Sequence, residues 1–162
     1  MQVSTRTWIG FLLGTLTTSV ILNVGEALLH GVVLVAQWQA AVALLGRTLD
    51  TSMRAWAFIV VGNSLQCAAL VALGALVTPR FDSTTKAAVV AATAIWVVGW
   101  LGPALVALSL QLFPVWLWSV MLGAGFVELI VGGFVGLSVY WRCEGTMSES
   151  TARAGGPARS AV

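Results

Sequence analysis

Four long apolar runs, each broken by only a few polar side chains, dominate the chain: about Trp8 to Ala36, Trp56 to Val77, Ala87 to Leu110 and Val115 to Tyr140. A helix rises about 1.5 Å per residue, so roughly 20 apolar residues cross the roughly 30 Å hydrocarbon layer of a bilayer. Each run meets that length, and the pattern predicts an all-α integral membrane four-helix bundle over residues 1–142. The first run is longer than crossing requires, so it should tilt or project past one interface. It also continues beyond the core of a secretory signal and reads as an uncleaved span.

The connections carry their own signals. Between the first two runs, Gln37 to Arg54 holds Arg47, Asp50 and Arg54, while Trp38, Ala41, Leu44, Leu45 and Leu49 recur at helical spacing. That combination predicts a short interfacial helix. Thr78 to Ser83 predicts a tight turn at Pro79, because proline cannot continue a helix. Gly99, Gly102 and Pro103 predict a kink in the third span. Gln111 to Pro114 is a very short reversal that makes the third and fourth helices antiparallel neighbours. Residues 143–162, rich in Gly, Ser, Thr and Ala, read as a disordered cytoplasmic tail.

Composition sharpens this picture. Hydrophobic residues make up 59% of the chain and charged residues 9%, well outside the range of soluble domains. The formal charge of +2 is spread over loops and tail, which leaves no basic surface for a nucleic acid. With four spans both termini share a side, and that side carries Arg6, Arg80, Lys86, Arg142, Arg153 and Arg159 against Arg47 and Arg54 on the other. The imbalance predicts an inner-membrane protein with cytoplasmic N- and C-termini. Trp8, Trp38, Trp56, Trp116, Trp118 and Trp141 fall near predicted span ends, as interface anchors would. Cys67 and Cys143 occupy dissimilar surroundings and read as free thiols.

The polar residues inside the spans are the candidate chemistry. Asn23, Glu26 and His30 recur at spacings of three and four, on one helical face. A carboxylate in a span is costly, so Glu26 should face the bundle interior, with His30 one turn toward the outer side and Asn23 one turn below. Asn63 and Gln66 in the second span and Glu128 in the fourth complete the polar cluster. Counting from the cytoplasmic ends, Glu26 lies roughly 28 Å up its helix and Glu128 roughly 21 Å up. Small residues four apart mark close helix approaches at Gly10 and Gly14, Ala27 and Gly31, Ala68 and Ala72, Ala87 and Ala91, Ala88 and Ala92, and Gly132 and Gly136, and the same faces offer a route to a homo-oligomer.

Catalytic machinery is not readable: the span serines have no local base, and no glycine loop follows a strand to cradle phosphate. One histidine with two intramembrane glutamates falls short of the paired Glu-x-x-His pattern of bundle metal sites, so neither a metal nor another cofactor is expected. The bilayer is the expected partner. The leading functional reading is a structural or accessory membrane protein. The alternative is a small-solute or proton transporter using Glu26, His30 and Glu128, which requires a hydrated path to the acids where a structural role predicts a dry bundle.

Several stretches carry a resemblance: Asn23-x-x-Glu26, His30-Gly31-Val32-Val33-Leu34, Trp38-x-Ala40-Ala41, Leu45-Gly46, Pro79-Arg80-Phe81 with Lys86-Ala87, Ile95-Trp96, Leu112-Phe113-Pro114 and Glu128. Over residues 8–141 the chain resembles a family of small, uncharacterised bacterial integral membrane proteins. The resemblance implies a four-helix membrane protein and brings no activity with it.

The orientation is directly testable with single cysteines introduced at Gly46 and Ser150 in a background lacking Cys67 and Cys143. A membrane-impermeant thiol reagent added outside should label position 46 and spare position 150; labelling of position 150 from that side reverses the topology.

Overall fold

The structure, a computed structural model, describes residues 5–154, with side chains over 7–145. Helices α1 (Thr5–Leu28), α2 (Val35–Ala43), α3 (Met53–Phe81), α4 (Thr84–Trp96), α5 (Gly102–Ser109) and α6 (Val115–Ala154) follow one another without a strand among the described residues. Two π-helical turns, Leu29–Val33 and Val97–Leu101, extend α1 and join α4 to α5. Four segments are long and apolar enough to cross a membrane: Thr7–Val33, Met53–Phe81, Thr84–Ser109 and Val115–Gly145. The all-α bundle anticipated from the apolar runs is therefore present, in the form of a multi-pass membrane protein.

The faces of α1 show how such a bundle is sorted. Gly10, Gly14, Thr18, Leu22 and Glu26, four residues apart, are all buried. The opposite stripe of Leu12, Leu16, Val20, Val24 and Leu28 is more than half exposed at every position. A water-soluble protein would place the large apolar stripe inward. Lipid provides no hydrophobic drive to bury it, and small residues take the interior because they let backbones approach.

α1 makes its most extensive contact with α6. α4 packs on α3 and α6, α1 on α3, and α3 touches α6 across the middle, so the four spans form a ring closed across one diagonal. A Cβ at Gly14 would lie 2.7 Å from the Gly136 carbonyl, and one at Gly136 would overlap the Thr18 hydroxyl. The Thr18 Oγ1 donor is shared between the carbonyls of Gly14 at 2.9 Å and Gly132 at 3.0 Å, linking the two helices. The Gly10–Gly14 and Gly132–Gly136 pairs are thus two sides of one seam. Ala87, Ala88, Ala91 and Ala92 are fully buried on α4 and form a second. Ala27 is exposed, so the proposed Ala27–Gly31 pair is not a seam.

Four local expectations change. α3 passes through Pro79 instead of turning there, since so near the helix end the missing N–H forfeits a single bond, the one to the Ala75 carbonyl. The turn falls at Asp82, left-handed at φ 47°, with its N–H on the Thr78 carbonyl at 3.1 Å, and the Ser83 hydroxyl caps α4. The kink near Pro103 takes the form of a π-helical turn, in which the Gly102 N–H reaches back to Val97 O, and Pro103 opens α5, where a donor is not needed. The helix expected over residues 37–54 covers only Val35–Ala43; a turn follows at Gly46, whose φ of 68° favours glycine and makes Arg47 the less strained labelling position. Of the expected tail, residues 143–154 continue α6 as helix and 155–162 lie outside the described residues.

Gly14→Ala should lower the detergent melting temperature, because overpacking against backbone costs about 1–3 kcal/mol and outweighs a helix-propensity gain of about 1 kcal/mol. Gly62→Ala, where a Cβ meets nothing within 4 Å, should melt at or above the parent temperature. Equal melting of the two variants would mean that the α1–α6 approach is not tight.

Candidate functional site

Glu26 ends the buried stripe of α1, and His30 follows one turn later inside the first π-helical turn. There the Leu34 N–H bonds to Leu29 O at 2.8 Å, five residues back, and at Leu34 the backbone leaves the helix (φ −107°, ψ 8°) before α2 begins. The widened turn and bend bring Trp38, on α2, back against His30. The Trp38 Nε1–H donates to His30 Nδ1 at 2.7 Å, and His30 Nε2 stands 2.9 Å from Glu26 Oε2.

This chain of contacts fixes the imidazole's proton. An indole N–H can only donate, so Nδ1 must present its lone pair. The ring's hydrogen therefore sits on Nε2, donated to the Glu26 carboxylate, and His30 is a neutral imidazole. Trp38 is held in turn by an edge-on contact with Phe113, ring centroids 5.2 Å apart, and by the small cluster of Leu34, Ala41 and Leu117 beneath α2.

Glu128 comes to the same place from α6. Its carboxyl group lies against the backbone of Gly25, where a Cβ would be 2.7 Å from the glutamate Cδ. Glu128 is thus level with Glu26 and within electrostatic range of both Glu26 and His30, instead of about one turn lower as counting from the helix ends suggests. Two buried oxygens, Glu26 Oε1 and Glu128 Oε2, have no hydrogen-bond partner. In a low-dielectric interior such an oxygen calls for a proton, a donor or a cation.

The remaining predicted residues separate into pairs. Asn23 does not reach Glu26; its Nδ2–H donates to Ser19 O at 2.9 Å and its Oδ1 accepts from Asn63 Nδ2 at 3.3 Å, joining α1 to α3. Gln66 Oε1 accepts from Trp100 Nε1 at 3.3 Å, and Gly99 lets the second π-helical turn approach the Gln66 amide. Both pairs join helices and leave the acids to themselves. Among the described residues no three His, Cys, Asp or Glu side chains converge as metal ligands do.

A cavity of about 290 Å³ runs from Glu26 and His30 to the connection between α2 and α3. Trp38, Trp56, Ile59 and Met121 form its walls, and Asp50 and Thr51 lie at its exposed rim. The Ser52 N–H donates to Asp50 Oδ1 at 2.9 Å, and this bond, helped by the Ser52 hydroxyl and the nearby Arg54, holds the Asp50 carboxyl below the usual carboxylate range. No lysine or arginine lines the cavity. Sequence reasoning missed Trp38 and Trp56 as site residues because their positions near predicted span ends suggested interface anchors. It missed Gly25 because only the facing helix shows why a side chain is excluded there. Comparison with protein-family models, curated proteins and solved structures finds no match to this chain.

The Glu26–His30 contact yields a contrast. Glu26→Gln retains an acceptor for His30 Nε2–H and should melt within a few degrees of the parent in detergent. Glu26→Leu strands that buried donor at a cost of about 1–3 kcal/mol and should melt clearly lower. Indistinguishable melting of the two variants would rule out the contact.

Proposed function

We propose that this protein is a small carrier of the inner membrane that moves protons, alone or coupled to a small solute, through Glu26, His30 and Glu128. The observation that carries this reading is the cavity reaching Glu26 and His30 from the α2–α3 connection. A purely structural cluster has no use for such a path. The unpartnered oxygens of Glu26 and Glu128 support it further, since a carboxylate that serves only to join helices ends with its acceptors filled, as Asn23 and Gln66 do.

With both termini cytoplasmic, as the distribution of basic residues favours, the cavity opens to the outer side of the membrane. Toward the inner side the bundle is packed: Val71, Ala88, Leu137 and Tyr140 form a tight cluster, and the glycine seam admits no water-sized gap between α1 and α6. The arrangement corresponds to one end state of alternating access, open outward and sealed inward. His30, neutral and hydrogen-bonded on both nitrogens, lines the cavity beside Glu26 and holds that carboxylate in place through its Nε2–H.

Proteoliposomes loaded with a pH-sensitive dye test the reading. Under a potassium diffusion potential the protein should acidify or alkalinise the lumen several times faster than protein-free vesicles, and Glu26→Gln, though folded, should fall to the protein-free rate. Background flux with the parent protein would remove the carrier reading and leave the structural one; full flux in Glu26→Gln would remove Glu26 from the path.

A further inference from the structure

We infer that the cavity beside Glu26 binds a small organic cation, an ammonium or amidinium group carried on a compact apolar body. The inference rests on the reading of this cavity as the protein's solute site and names the chemistry of the solute. Four observations converge on it. Glu26 lines the cavity, its side chain is only 8% exposed, and its Oε1 has no partner. Asp50, ionised and exposed, stands at the entrance, so both ends of the cavity carry a carboxylate.

The third observation is the absence of any compensating positive charge in the lining. His30 is the one lining residue that could supply it, and the Trp38 N–H occupies Nδ1 and holds the ring neutral. Arg54 acts on Asp50 from outside the lining. An anion entering here would meet two carboxylates and no cationic group, whereas a cation meets a carboxylate-bearing residue at each end. Such a site discriminates by leaving the wrong ligand's charge unpaired.

The fourth observation is the wall. Trp38, Trp56, Ile59 and Met121 offer ring faces and apolar surface instead of oxygen atoms. Indole faces attract ammonium groups and also bury an apolar body. They cannot replace the hydration shell of sodium, magnesium or calcium, which demand several oxygen ligands. The volume of about 290 Å³ is at the lower limit of ordinary ligand sites, which span roughly 300–1,000 Å³, so the body must be compact, about the size of one aromatic ring with a short chain. Trp56 is placed by its contact with the first span, its ring lying 3.5 Å from where a Gly31 Cβ would be, so the wall is held by the same helix that carries the acid.

Calorimetric titration of the full-length protein in phosphatidylcholine nanodiscs, with empty nanodiscs as blank, tests the inference with three probes of nearly equal shape. Phenethylammonium should bind saturably, and neutral phenethyl alcohol and anionic hydrocinnamate should bind about tenfold more weakly or not at all. The folded Glu26→Gln variant should lose the preference for the ammonium over the alcohol. Trp56→Leu should weaken ammonium binding several-fold, and Asp50→Asn, at an exposed position that does not threaten folding, should weaken it with little effect on the alcohol. Binding of the alcohol as tight as that of the ammonium, tighter binding of hydrocinnamate, no saturable ammonium binding by the folded parent, or a preference that survives both Glu26→Gln and Asp50→Asn would each overturn the inference. Proton flux without cation preference would defeat this inference and spare the carrier reading. Cation preference without flux would do the reverse.

Discussion

The close approach of α1 and α6 is the constraint from which the rest of this protein follows. Glycines at 10, 14, 132 and 136 bring the two backbones together, and Thr18 links them by donating toward carbonyls on both. In lipid no hydrophobic force would hold these helices, so van der Waals contact along a flat seam and the shared hydroxyl must do so. The same register carries Glu128 onto Gly25 and so places two carboxyl groups level with one another at the end of the seam. A helix one residue out of register would present Val127 or Leu129 there instead.

Two π-helical turns adapt the spans to what they carry. The first allows His30 to lie between Glu26 and Trp38, which a regular helix running straight on to Trp38 could not arrange. The second precedes Pro103 and presses Gly99 against Gln66. Wide turns of this kind leave one carbonyl out of the regular ladder and are frequently found at functional sites. Here each coincides with one of the spans' polar contacts, and the first adjoins the cavity at Glu26.

The intramembrane polar groups divide by how well they are satisfied. Asn23 with Asn63 and Gln66 with Trp100 are amide contacts that close between neighbouring helices and need nothing further. Glu26 and Glu128 each keep a buried oxygen without a donor, and Glu26 is among the residues that line a cavity. A helix-joining role accounts for the first group. The second has acceptor capacity left for a proton or a cation.

The sequence by itself determined the number and extent of the spans, the helical class, the inward face of Glu26 and the reversals near Asp82 and Gln111, because apolar length and local turn chemistry are properties of contiguous residues. It also marked the small-residue stripes, without saying which would meet. Tertiary structure alone decided that Gly10–Gly14 faces Gly132–Gly136, that Ala27 faces outward, and that Glu128 lies level with Glu26. Pairing of seams depends on helices far apart in the chain, and a count along each helix carries no information about its offset from another. The role of Trp38 was hidden for a related reason: its distance from His30 depends on a π-helical turn and a bend at Leu34 that no proline announces. Composition could place a histidine in the span; only the folded backbone could place a donor on its Nδ1 and so make it neutral.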